Sequence, residues 1–147
     1  MPTDGHQTLS HFLLFTFQAQ IRSRGVVRYS PLRVRIRPRK FREPDLLLLL
    51  DADDPRRENR YWWGADLVVE IVGPDKPERD LVDKRFDYAE AGIPEYWIVN
   101  PLNQTVTVLR LDGDEFGEHG VFVRRQRTTS VLLSGFAIDV TAPFAAR

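Results

Sequence analysis

Apolar positions recur along this chain with two different periods, and the switches between them mark its elements. From Thr8 to Ser23, Leu9, Phe12, Leu13, Phe17, Gln20 and Ile21 fall near one face at three- and four-residue spacing, which predicts an amphipathic helix stopped at Gly25. From Val26 to Arg37 the period drops to two. Val34 and Ile36 point one way and Arg33, Arg35 and Arg37 the other, as in a strand with one basic face. Pro38 to Glu43 is polar and reads as a connection. Asp45 to Asp51 carries five consecutive leucines, apolar on both faces, and is therefore expected at the centre of a sheet.

Asp53 to Tyr61 is charged and contains proline, so a loop is expected, with Trp62 and Trp63 pinning its end to the body. Asp66 to Val72 is the next strand; Asp66, Val68, Glu70 and Val72 share one face and Leu67, Val69 and Ile71 the other. After Gly73-Pro74 a helix is expected from about Glu78 to Ala91, capped by Gly92 with Pro94 beyond. In it Asp80, Lys84 and Tyr88 align at i, i+4 and i+8, while Val82, Phe86 and Ala89 form an apolar face. Glu95 to Asn100 is a strand closed by Pro101. Thr105 to Leu111, a turn from Asp112 to Gly120, Val121 to Arg125, and one or two short strands within Ser130 to Val140 make a β-rich finish. This order is mixed α/β, and a sheet whose middle strands are apolar on both faces needs helical cover.

Two acids break this apolar pattern. Pro44-Asp45 opens the leucine run, and Glu70 stands inside the strand Asp66 to Val72. An ionised carboxylate in a dry strand is costly unless it is paired, hydrogen-bonded or holding a cation. A divalent metal is the simplest common reason. Magnesium takes one or two protein carboxylates and keeps several waters, so Asp45 and Glu70 at adjacent strand ends are an adequate donor set, with the backbone carbonyl of Ile71 as a third oxygen. Lys84 is the best candidate for an ammonium that steadies the attacked phosphate. The plain alternative is a solvated Lys84–Asp80 pair worth about 0.3–0.5 kcal/mol, with the strand acids ending at exposed edges. Asp66 is either an additional ligand or a loop cap, and Tyr88 either orients the cleft or packs.

The 147 residues suit one domain, burying roughly 68–70% of the unfolded surface. With no cysteine there are no disulfides, thiolate zinc sites or cysteine nucleophiles, which is compatible with a cytoplasmic location. His6, His11 and His119 lack a zinc-like spacing, and no apolar run approaches the roughly 18 residues of a membrane helix, so no membrane is expected as a partner. Net charge is zero, which argues against a purely electrostatic nucleic-acid binder. The distribution matters more: nine basic residues lie between Arg22 and Arg42 with no acid among them, and the acids follow from Glu43 to Glu95. A basic stripe beside an acidic pocket suits a metal-dependent enzyme acting on a polyanion, with Arg33, Arg35 and Arg37 as the phosphate contacts; the alternative is a solvated strand face.

The succession Pro44-Asp45, Ala65-Asp66-Leu67-Val68-Val69-Glu70-Ile71, Asp80, Lys84, Tyr88-Ala89 and, most specifically, Gly92-Ile93-Pro94-Glu95-Tyr96-Trp97-Ile98-Val99-Asn100-Pro101 resembles the Uma-two type restriction endonucleases of the PD-(D/E)XK nuclease superfamily. The resemblance runs from about His6 to Phe144. It implies a restriction-endonuclease-like α/β core, a mixed sheet flanked by helices, in which Asp45 and Glu70 bind magnesium or manganese and DNA is the substrate. Val72 stands where the literal acid-x-lysine motif has its lysine, so Lys84 from the following helix takes that place, and Gly73 replaces the usual serine. The family's opening strand and glutamate-bearing element have no counterpart before the first helix, so Met1 reads as a late start and an uncovered sheet edge is expected.

The expectation is one nuclease-like domain over residues 1–147 that hydrolyses DNA phosphodiester bonds with a metal, alone or as a homodimer. The rival is a catalytically degenerate module on the same fold that binds nucleic acid or a protein partner. Convergence of Asp45, Glu70 and Lys84 on one point favours the enzyme.

Overall fold

The protein is described by a computed structural model covering residues 3–75 and 78–147, so Met1, the expected late start, lies outside the described residues. Helix α1 (Asp4–Ile21) begins earlier than its apolar stripe. Thr3 caps it, its hydroxyl accepting the His6 N–H at 3.1 Å. Leu9, Leu13, Phe17 and Ile21 are buried at successive four-residue steps, while Gln20 is exposed. Gly25 then admits a close approach: a Cβ there would stand 2.6 Å from the Leu49 carbonyl oxygen.

The expected strand from Val26 to Arg37 is two strands, β1 (Val26–Tyr29) and β2 (Val34–Arg37), because Pro31 has no N–H to continue a ladder. The expected polar connection also contains a strand, β3 (Lys40–Arg42), which pairs with β2 in a separate hairpin. Its turn places Arg39 at φ 68°, a position where glycine or asparagine would have been the sequence signal.

The main sheet takes β4 (Leu46–Leu49), β5 (Leu67–Ile71), β6 (Glu95–Asn100), β7 (Thr105–Asp112) and β8 (Glu115–Phe122) in the order β1-β4-β5-β6-β7-β8. Only the β5–β6 pair is parallel, and α2 (Glu78–Glu90) makes that crossover, ending before Gly92 at φ 74°. The leucine strand β4 is flanked on both sides, as its two apolar faces require. β8 occupies much of the expected long turn. Only Gly113-Asp114 turns the chain, and the glycines and acids that follow sit on an edge strand with solvent beside it. β9 (Arg127–Thr129), β10 (Ala137–Asp139) and a short helix α3 (Thr141–Ala145) complete the chain.

One side of the sheet packs Leu46, Leu48, Leu67, Val69, Ile71, Trp97 and Val99 against α1. The other packs Leu47, Leu49, Val68 and Tyr96 against Tyr88 and Ala89 of α2 and against Val34, Ile36 and Trp62. α2 turns a different face inward from the one its apolar residues predict. Val82 and Phe86 are 51% and 67% exposed, while Lys84, Asp87, Tyr88 and Ala89 are buried. Its polar stripe can be internal because each charge there finds a partner.

Candidate active site

Strand register decides where the acids meet. Leu46 opposes Val69 and Leu47 opposes Val68, so one step further along the antiparallel pair Asp45 faces Glu70. By alternation both share the side of Leu47 and Val68, the side covered by α2. Both carboxylates are buried, Asp45 at 8% and Glu70 at 1% exposure.

Glu70 is gripped from two consecutive turns of α2. Lys84 Nζ lies 3.2 Å from Oε1 and the Tyr88 hydroxyl donates to Oε2 at 2.6 Å. The same ammonium reaches Asp80 Oδ2 at 3.2 Å, so the i, i+4 pair expected as a plain alternative exists, but the lysine is almost buried and bridges both acids. Burial opposes its charge; the Glu70 carboxylate, the Asp80 hydrogen bond and the Asp80 charge outweigh that, and the Lys84 pKa is raised. Burial, and then the charge and hydrogen bond of Glu70, push the Tyr88 phenol well above its ordinary value, so it remains a donor.

Asp45 is held by backbone and helix. Its Oδ2 accepts the Ile71 N–H at 2.6 Å, and its Oδ1 lies 3.0 Å from His6 Nε2 in the first turn of α1. The sequence, lacking a zinc-like histidine spacing, assigned His6 no role. A histidine one turn past a capping threonine was the only available signal. Asp45, Ile71 and the first turn of α1, together with Gly73, Pro101 and Phe144, line a cleft of about 760 Å³.

Tyr96 was missed as well. It is paired with Val68 in parallel register, hence on the face of Glu70, and its ring packs edge-on against Tyr88 at 5.0 Å. Its fully buried hydroxyl has no hydrogen-bond partner among the described residues. Burial and then the charges of Glu70, Asp80 and Asp45 raise its pKa, so all three acids act on one phenol. The parity of β5 and β6, once paired in parallel, would have identified it.

Asp66 stands apart. It precedes β5, and four strand steps, about 13 Å, separate it from Glu70. Its two oxygens accept from Leu50 N–H and Arg56, which fixes the loop before it. The loop-cap alternative describes it. Asp80 and Tyr88, by contrast, join the site through Lys84 and Glu70.

The basic stripe divides. Arg37 pairs with Glu90 at 2.7 Å, Lys40 with Asp87 at 3.0 Å, and Arg42 with Asp87 at 2.7 Å, tying the hairpin to α2. Burial resists the charge on Asp87, but hydrogen bonds from Lys40 and Arg42 prevail and its pKa is lowered. Arg33 and Arg35 instead lie over aromatic rings, 4.8 Å from the Phe41 centroid and 4.5 Å from that of Trp63.

A further buried acid, Glu95, is structural. It accepts from Trp97 Nε1, Ser130 Oγ and the N–H groups of Val131 and Leu132, and so fastens the C-terminal segment to β6.

Hard oxygen donors of this kind suit magnesium or manganese. No cluster of three or more His, Cys, Asp or Glu able to hold a metal occurs among the described residues. A magnesium ion that keeps most of its water needs only one or two carboxylates, so the donor chemistry of Asp45 and Glu70 suits it. No helix among the described residues is long and apolar enough to cross a membrane.

Residues 1–141 match the model of the Uma2 family, described as "Putative restriction endonuclease". Among solved structures, the chain is similar to a "putative nuclease belonging to DUF820" from Anabaena variabilis, with a TM-score of 0.80 at 19% identity over 99% of this chain and 83% of that one. No curated protein matches it.

Proposed function

The chain belongs to the Uma2 family, and from that premise we propose that it is a metal-dependent endonuclease hydrolysing DNA phosphodiester bonds. The observation that carries this is the buried Glu70 carboxylate held between Lys84 and Tyr88, on the same sheet face as Asp45 one strand away. Asp45, Glu70 and the carbonyl of Ile71 would hold a magnesium or manganese ion, which supplies positive charge to the attacked phosphate and acidity to bound water.

The protein's own groups do the rest. Tyr88 and Lys84 fix the orientation of Glu70 before anything binds. The Lys84 ammonium, kept charged by its two acids, offsets negative charge that builds on the phosphate. His6 and the Ile71 N–H fix Asp45. The Tyr96 hydroxyl donates to a water or phosphate oxygen entering beside the acids.

The test is titration of magnesium or manganese followed by calorimetry, in the wild type and in Glu70→Gln, with plasmid cleavage measured alongside. Metal-dependent nicking that vanishes in Glu70→Gln supports the reading; no metal binding and no cleavage overturn it. The second reading, a catalytically silent module on the same fold, is favoured by one observation: no group of three or more His, Cys, Asp or Glu able to hold a metal occurs among the described residues. It predicts DNA binding that is the same with and without the metal.

A further inference from the structure

The hairpin of β2 and β3 carries a surface that the acid site does not use. Phe41, Tyr61 and Trp63 form a contiguous row, the first pair T-shaped with centroids 4.8 Å apart and an angle of 69° between the rings, the second tilted at 51° with centroids 5.5 Å apart. Arg33 covers one end of this row and Arg35 the other. The row is held on both sides: Trp62 N–H donates to the Arg33 carbonyl and Arg35 N–H to the Trp62 carbonyl, both at 2.9 Å, and the Trp62 side chain is buried beneath. Trp63 is 43% exposed. Neither Arg33 nor Arg35 pairs with a carboxylate among the described residues, whereas Arg37, Lys40 and Arg42 of the same hairpin all do. Of the cations left without a carboxylate, Arg33 and Arg35 lie on rings, and Arg39 is exposed at the hairpin turn.

We infer that the row Phe41–Tyr61–Trp63 with Arg33 and Arg35 is a stacking platform for unpaired nucleotides, so that single-stranded nucleic acid is what this hairpin receives. The inference rests on the proposed action on nucleic acid and narrows it to strands with exposed bases. A ring face and a guanidinium plane both stack on a base, and a guanidinium on a ring still directs its N–H groups outward to phosphate. In a duplex the base faces are covered by their neighbours, so a duplex can use only the two charges.

The test uses the full chain in EDTA, so that cleavage does not enter, with a thymidine oligonucleotide of about 15 residues and a duplex of equal length as probes. Trp62 and Trp97 are 2% and 0% exposed, so fluorescence change on binding reports Trp63. The single strand is expected to quench this emission. Trp63→Ala should weaken single-strand binding by about fivefold to 150-fold, the worth of one stacked base, and duplex binding less than about twofold. Trp63→Phe should restore most of the affinity without the quenching, which a mere loss of folding would not do. Arg33→Gln with Arg35→Gln should lower the salt slope on the single strand by about 1.4, at roughly 0.7 per phosphate contact. Equal weakening on both probes, or no change on either, would overturn the platform. Because cleavage is scored separately with magnesium, a chain that quenches and discriminates yet cuts nothing would sink the nuclease reading and keep the platform.

Discussion

The Tyr88 hydroxyl donates to Glu70 Oε2 at 2.6 Å from the helical turn after the one whose Lys84 holds Oε1. A buried carboxylate thus has a separate donor on each oxygen before any ligand arrives. Hydrogen bonds to a charged group are worth about 1.5–3 kcal/mol, so Tyr88→Phe should lower unfolding stability by about that amount. Urea denaturation checks it, and an unchanged midpoint would mean that the bond contributes nothing.

Tyr96→Phe should behave oppositely. Its hydroxyl is buried without a partner among the described residues, so removing it should leave stability unchanged or raise it by about 1 kcal/mol. If the hydroxyl serves an entering group, cleavage should slow while the urea midpoint holds. A destabilised Tyr96→Phe would show that a partner had been satisfying it.

Asp45→Asn and Glu70→Gln should each abolish metal binding in calorimetry and metal-dependent cleavage, while circular dichroism stays native. The consequences for Lys84 differ between them. Glu70→Gln removes the charge that most strongly favours the ammonium, so the Lys84 pKa should fall, visible by NMR of the labelled side chain. Asp45→Asn should leave the Lys84 resonance nearly unmoved.

Asp87 sets an acid limit. Its folded pKa is lowered, so its contribution is complete above the unfolded value of about 3.9 and is lost as pH falls through the folded value. Asp87→Asn should therefore lower stability at neutral pH and flatten the acid limb below about pH 4. Lys84 works at the other end. With a raised folded pKa, its contribution is complete below about pH 10.4 and is lost as pH climbs through the folded value, so Lys84→Met should flatten the alkaline limb. Urea midpoints across pH check both; limbs parallel to the wild type would contradict them.

Sequence alone determined those features in which one residue's chemistry has one outcome. Four of the run's five leucines form β4, buried on both faces between β1 and β5, while Leu50 lies past its end. Gly92 ends α2 because its φ of 74° suits glycine, and Asp80, Lys84 and Tyr88 share a stripe because helical geometry allows nothing else. Asp45 and Glu70 were conspicuous as charges among apolar neighbours. Tertiary structure decided what depends on pairing across distance. Parallel register of β6 on β5 brought Tyr96 to Glu70, and the wrap of α1 brought His6 to Asp45. Nine basic residues in a row gave no sign of which would meet an acid; the acids that neutralise Arg37, Lys40 and Arg42 lie some forty-five to fifty-three residues along the chain on α2, and the rings beneath Arg33 and Arg35 come from two separate segments. Local spacing records periodicity, but the partner of a charge is set by which surfaces the core brings together.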